Sequence, residues 1–194
     1  MPNDFQTILG KVAHSMFVTK NTNIAESFRP RQIKSKKWLV YEITKFKKEF
    51  NKVAVLGSWN SILLYELMAQ NGKVGFWDFY DIDSNVHIDR DGYFTANNMV
   101  KNYASFEINV NDYFDPTPYD LIINPSCEHM RDMKAIEGPM YALTSNNYTQ
   151  VKDHINTIQR HEDLAIKNGI NNILYEGTLR FSDYERYCTI GYAK

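Results

Sequence analysis

The sequence predicts an α/β fold: one doubly wound, mostly parallel sheet with a C-terminal antiparallel hairpin and an N-terminal helical extension. Three observations predict it. Short apolar runs, VAVL at 53–56 and YDLII at 119–123, stop abruptly at Gly57 and at Asn124-Pro125, as strands buried on both faces do. Segments of helical periodicity separate several such runs, which implies parallel pairing through right-handed crossovers. The last two strand-like runs, 172–181 and 186–192, are joined only by a short turn at Ser182-Asp183 and therefore pair antiparallel.

The chain has 194 residues, enough for one well-buried domain and too few for two ordinary ones. Hydrophobic residues at 43% and charged residues at 23% exclude wholesale disorder. Aromatic residues make up 14%, which supplies large side chains for a core or a planar ligand.

From the N-terminus, Phe5, Ile8, Leu9, Val12 and Met16 have helical spacing. A loop with Arg29-Pro30-Arg31 follows, and Ser35 has the chemistry of a helix N-cap. Leu39, Ile43, Phe46 and Phe50 then form one apolar helix face. The first strand, 53–56, ends at Gly57, and Asn60 or Ser61 caps a helix carrying Leu63, Leu64, Leu67 and Met68, which Asn71-Gly72 ends. Strand two, 74–80, stops at Asp81-Ile82-Asp83. Ser84 or Asn85 opens a second helix, expected to bend near Gly92. Strand three is expected at 106–110, strand four at 119–123, strand five at 140–144, and a helix across 155–167, ended by Asn168-Gly169. The domain division that follows is a helical cap at 1–51 and the sheet domain at 52–194.

Charge is uneven. Nine basic residues between Arg29 and Lys52 face only Glu42 and Glu49, a net +7 over 24 residues that leaves −8 for the rest of a chain with net charge −1. A solvated helix face explains the stretch, and an anionic or nucleic-acid partner is the alternative. Cys127 and Cys188 are too few for a disulfide framework or a four-cysteine zinc site, so a reducing, cytoplasmic setting is expected. The start, MPNDFQTILGKV, lacks the features of a signal peptide, and no apolar run has the length to span a membrane.

In an open α/β sheet the ligand lies beyond the carboxyl ends of the strands. Gly57-Ser58-Trp59 after strand one offers a glycine turn into a helix N-terminus, but not the three glycines of a dinucleotide fingerprint. Asp81-Ile82 ends strand two, 24 residues past Gly57, where a carboxylate accepts from both hydroxyls of a ribose. Asp112 after strand three is placed to accept from an exocyclic amine, with Tyr113 or Phe114 packing near the base. Together these ends describe an adenosine site. Glu128-His129 after strand four pairs an acid with an imidazole, a general base near neutral pH, or else a cap and a polar edge. Asn146, Asn147, Tyr148 and His154 beyond strand five offer donors and acceptors to a substrate. Glu128, His129 and His154 are of metal-ligating types, but no tight spacing motif is present and no metal is assigned.

The ordered segments VAVLGSWNS, YDIDS, VNDYF and YDLIINPSCEH resemble those of the class I, Rossmann-like S-adenosylmethionine-dependent methyltransferases, from about Lys52 to the C-terminus. The tail ILYEGTLRFSDYERYCTIGYA is similar to the closing antiparallel pair of that fold. More narrowly, the Trp after the first glycine, the SCEH and the SNNY resemble a small, often phage-encoded group, for which a host cytoplasm would be the setting. The resemblance implies S-adenosyl-L-methionine bound by Gly57, Ser58, Trp59, Asp81, Ile82, Asp112, Tyr113 and Asn124. It places Asn124, Glu128 and His129 on the reaction side. Asn124-Pro125 stands where amino-methylating enzymes hold a target amine, but no aromatic follows to stack a flipped base. Ser126 between Pro125 and Cys127 puts that thiol out of register with the nucleophile of the carbon-5 pyrimidine enzymes, so Cys127 reads as a small buried hydrophobe.

The acceptor implied is a small molecule or nucleobase. Two other readings keep the fold: a protein that cleaves the cofactor or transfers another of its groups, and a binding module without turnover.

Overall fold

The computed structural model describes residues 4–194. Helix α1 (Asp4–Thr19) buries Ile8 and Val12 at the spacing the sequence shows, and a 3₁₀ turn at Asn23–Phe28 follows. Helix α2 (Pro30–Phe46) begins five residues before the expected cap at Ser35. Pro30 occupies its first turn, where a fixed φ suits the helix and the missing N–H is no loss, and Ser35 lies buried inside it. Phe50, expected on the helix face, belongs to strand β1 (Glu49–Leu56).

Helix α3 (Ile62–Asn71) ends at Gly72 as expected. Strand β2 (Lys73–Asp81) leads to α4 (Ser84–Ala96), whose Asp83 cap accepts from the Asn85 N–H. Helix α4 runs unbroken through Gly92, and a Cβ there would press on the Thr19 side chain at 3.4 Å, so glycine serves the approach of α1 rather than a bend. Strands β3 (Tyr103–Glu107), β4 (Leu121–Asn124) and β5 (Met140–Asn146) follow. Helix α5 (His161–Asn168) is shorter than the expected 155–167, because the chain before it is drawn onto the sheet by backbone bonds from Asn156 to Glu128 and from Ile158 to Asn146. Strands β6 (Asn172–Arg180) and β7 (Glu185–Tyr192) form the hairpin.

The seven strands are ordered β3-β2-β1-β4-β5-β7-β6. β1 through β5 pair in parallel, and β7 runs antiparallel to both β5 and β6. The period-two alternation splits the core. Val53, Val55, Phe79, Leu121 and Ile123 face α1 through α4, while Ala54, Leu56, Ile122, Tyr141 and Leu143 face α5 and the loops. The winding is uneven, four helices against one. Between β3, β4 and β5 the chain carries no α-helix, only a 3₁₀ turn at Cys127–His129.

The N-terminal helices share the sheet's core: Ile8, Ile24, Leu39 and Ile43 lie in one cluster with Val53 and Val55. Glu66 of α3, 4% exposed, takes two bonds from Lys11 Nζ at 2.9 and 3.0 Å and one from the Tyr93 hydroxyl at 2.8 Å, which joins α1, α3 and α4. Of the basic stretch, Arg31 pairs with Asp183, Lys45 with Glu42 and Lys52 with Asp78. No helix among the described residues is long and apolar enough to cross a membrane.

Candidate active site

A cavity of about 580 Å³ opens at the carboxyl ends of the parallel strands, where strand order reverses between β1 and β4. Its first wall is the turn after β1. Gly57 has φ +56°, and a Cβ on it would stand 2.0 Å from Met130 Cε. Ser58 donates its N–H to the Tyr80 carbonyl at 2.8 Å and is buried, facing away from the cavity. Trp59, at φ +47°, lines the cavity and donates its N–H to Asp81 Oδ2 at 2.7 Å.

Asp81 closes β2 and accepts a second backbone bond, from Asp83 N–H to Oδ1 at 3.1 Å. Two backbone donors thus aim this half-buried carboxylate, and its remaining lone pairs are open to hydroxyl donors in the cavity. Ile82 stands exposed on the rim.

Beneath the turn lies Arg90, fully buried. It donates to the Trp59 carbonyl at 3.2 Å, to Ser58 Oγ at 3.3 Å and to Ser105 Oγ at 2.8 Å, and stacks over Phe79 at 4.1 Å. Its other partner is His87 Nδ1 at 2.5 Å, which must be the acceptor, since a guanidinium only donates. Burial and Arg90 hold His87 below the usual histidine range, in keeping with a neutral ring, and burial pushes Arg90 down to about 10, which leaves it charged at neutral pH.

The third strand departs from expectation. β3 ends at Glu107 rather than at 110, and a turn closed by the Asp112 N–H on the Asn109 carbonyl carries Asp112 and Tyr113 past the wall. Both line a neighbouring cavity, and Ile108, Asn109, Val110 and Asn111 line the first in their place. Asn124 also lines the neighbour. Its Oδ1 accepts from the Ser126 N–H at 3.1 Å and its Nδ2 lies 3.3 Å from Met130 Sδ, so Met130 separates it from the first cavity.

Glu128 and His129, on the 3₁₀ turn after β4, line the first cavity, as do Asn146, Tyr148 and His154. Glu128, 2% exposed, accepts on Oε1 from Asn146 Nδ2 at 2.6 Å and from Arg186 at 3.4 Å. Arg186 also donates to the Pro125 carbonyl at 3.0 Å. Asn147 points elsewhere: it exchanges bonds with the Glu185 backbone and fastens the exit of β5 to the start of β7. Cys127 is buried, and burial raises its thiol well above the usual range, so it is a packing residue and not a nucleophile.

Arg186 is the residue that sequence reasoning missed. Its place is set by the register of β7 on β5, which puts Arg186 opposite Asn146 and which no local sequence signal reveals. Gln32 of α2, Met130 and Tyr184 also line the cavity without a sequence signal. A small adjoining cavity holds Lys36 beside Ser58, Trp59, Ser126 and Arg186. Burial and the Arg186 guanidinium push the Lys36 ammonium down to about 7, against the opposing pull of Glu128.

No family model matches the chain, and no curated protein matches its sequence. Solved structures match in fold. Phosphoethanolamine N-methyltransferase 2 of Haemonchus contortus, in complex with S-adenosyl-L-methionine, superimposes with a TM-score of 0.58 at 10% identity, over 87% of this chain and 58% of that one. TehB of Haemophilus influenzae gives 0.56 at 15% identity, over 80% and 61%. TrmK of M. capricolum, in complex with S-adenosyl-homocysteine, gives 0.50 at 12% identity, over 80% and 69%. The chain therefore spans about three-fifths to two-thirds of the length of these structures. The likeness is one of fold: the α/β architecture of S-adenosylmethionine-dependent methyltransferases.

Proposed function

We propose that this protein is an S-adenosylmethionine-dependent methyltransferase. The observation that carries the reading is the pairing of the Gly57–Trp59 turn with Asp81 in one cavity at the switch point of the sheet. Asp81 accepts from the ribose hydroxyls. The methionine end lies against the turn, within reach of the cations Lys36 and Arg186. Adenine lies between Ile82 and Ile108, with Asn109 or Asn111 in the role expected of Asp112. The neighbours bound to this cofactor or its product support the assignment.

The reaction follows from the cofactor's sulfonium. A lone pair on the acceptor forms a bond to the methyl carbon, the carbon–sulfur bond breaks, and its electrons neutralise the sulfur. A proton lost by the acceptor passes to His129, with Glu128 beside it, while Asn146 and Tyr148 hold the acceptor. Asn124 acts from behind Met130 and not by touching the acceptor. The acceptor is a small molecule or nucleobase that fits beside Gln32 of α2. The free, buried cysteines support a reducing, cytoplasmic setting. The narrower likeness to the small, often phage-encoded group rests on Trp59 and on the SCEH and SNNY segments.

The test is incubation with methyl-labelled cofactor and a cell extract. Labelled product with S-adenosylhomocysteine supports transfer. Other adenosine products would replace it with cofactor cleavage, and neither product would leave a binding module.

A further inference from the structure

We propose that Glu128, His129 and His154 bind a divalent transition-metal ion, a site that rests on the side chains alone and not on the cofactor reading. One ligand atom from each residue lies within 4.8 Å of the other two. The residues are 26 apart at their widest in sequence, from Glu128 to His154, which is why no spacing motif announced them. The fold brings them together by the backbone bonds from Asn156 to Glu128 and from Ile158 to Asn146, which hold the segment bearing His154 against the 3₁₀ turn.

Two independent features show that these groups face a missing ligand. The first is Glu128. Its Oε1 is satisfied by Asn146 and Arg186, but its Oε2 is buried and has no hydrogen-bond partner among the described residues. An unpaired buried oxygen of this kind is costly, so a structural role in the Asn146–Arg186 network explains only half of the carboxylate. The second is the tautomer of both rings. His129 Nδ1 lies 3.2 Å from the Asp153 carbonyl and His154 Nδ1 lies 2.5 Å from the Tyr148 carbonyl. A carbonyl oxygen only accepts, so each Nδ1 carries a proton, and in the neutral ring Nε2 is then the nitrogen left to bind a metal. That is the arrangement in which metal-binding histidines are held. The rings meet edge to face, 4.6 Å apart at 85°.

Two imidazoles and a carboxylate suit zinc, cobalt or iron in the divalent state, and not magnesium or calcium, which take oxygen sets. Ligand atoms at about 2.0–2.1 Å from a tetrahedral zinc stand roughly 3.4 Å apart, so from 4.8 Å the cluster must contract by up to about 1.4 Å. His129 is exposed, so its ring can shift inward while pivoting on its 3.2 Å bond to the Asp153 carbonyl. Three protein ligands leave one position open toward the cavity, for water or for an oxygen or nitrogen of the acceptor. With an ion in place, His129 would be a ligand and would not take the proton; the ion would lower the pKa of the atom bound to it, and solvent would receive the proton.

The full chain, stripped with a chelator, is titrated with Zn²⁺ by calorimetry and with Co²⁺ by visible absorption. One ion per chain is expected, with affinity at least tenfold weaker in His129→Ala, in His154→Ala and in Glu128→Gln, and unchanged in His14→Ala and His161→Ala. Circular dichroism confirms folding, and His129→Ala, at an exposed position, remains a fair test if Glu128→Gln does not fold. Absence of saturable binding, or wild-type affinity in both His129→Ala and His154→Ala, would overturn the site. S-adenosylhomocysteine is titrated into the same samples. Its binding without zinc binding refutes the metal site alone, whereas zinc binding without it upholds the metal site and refutes the cofactor reading.

Discussion

The Trp59 backbone N–H donates to the Asp81 carboxylate at 2.7 Å, which ties the glycine turn after β1 to the acid that ends β2. The bond makes one unit of two strand ends that are distant in sequence. It also aims Asp81 before any ligand arrives, so little ordering is left to be done on binding. Asp81→Ala is expected to weaken binding of S-adenosylhomocysteine by about 1.5–3 kcal/mol, the loss for hydrogen bonds to a charged group. Calorimetry checks this, and an unchanged affinity would remove Asp81 from the site.

Gly57 tests the same turn from the other side. Gly57→Ala sets a Cβ against Met130 and asks an L-residue to hold φ +56°. The backbone term is about 1–2 kcal/mol, and Met130, a flexible side chain, can swing away only by intruding on one of the two cavities it separates. A fall in melting temperature with a larger fall in cofactor affinity is the expected outcome. In Gly57→Ala combined with Met130→Ala, the backbone term alone should remain.

The positions of these two residues at the cavity were legible because strand ends are local signals: an apolar run, then a glycine or an acid. So was most of the sheet, since β1, β2, β4 and β5 each carry such a run, whereas β3 lies at 103–107 and not at 106–110. Asp112 was misread for a local reason as well. Nothing in FEINVNDYF says that pairing stops at Glu107, because the last rung is set by how far β2 extends, not by β3. Asn147 and Arg186 were invisible for the opposite reason. Their roles are fixed by the register of β5 on β7, a long-range fact. The same holds for Ser35, whose cap chemistry Pro30 overrides by starting the helix earlier.

Glu128→Gln and His129→Ala should separate chemistry from binding. Both residues line the cavity, yet neither belongs to the turn or to Asp81. Turnover is expected to fall about 10²-fold or more, the scale of a lost general base, with cofactor affinity changed less than threefold. Equal losses in both quantities would make them cofactor-binding residues instead.

Lys36 gives the cofactor site a pH dependence. Its ammonium is held near 7 by burial and Arg186, against Glu128, so above neutrality it is largely uncharged in the free protein. A carboxylate at the methionine end favours the charged form and raises that value on binding. Affinity should therefore be constant below about 7 and decline as pH rises through it, with proton uptake on binding. Titrations between about pH 6 and pH 9 check the slope. Lys36→Met should flatten it, and a slope that survives in Lys36→Met would place the titrating group elsewhere.

The N-terminal helices are tied to the sheet domain by a charge that cannot be left alone. Glu66 is buried, and Lys11 is its only cationic partner among the described residues. Lys11→Met leaves Tyr93 as the one remaining donor to a carboxylate with no counter-charge. Breaking a fully buried pair costs about 3–5 kcal/mol, and since Lys11 is one-third exposed the expected loss is smaller, about 1–3 kcal/mol. Glu66→Gln in the same chain removes the orphaned charge and still accepts from the Tyr93 hydroxyl, so the double variant should be more stable than Lys11→Met alone. Urea unfolding of the two variants measures this. If the double variant is the less stable of the two, the Lys11–Glu66 pair is not what fixes α1 to α3, and the anchoring falls to the apolar contacts of Ile8 and Val12.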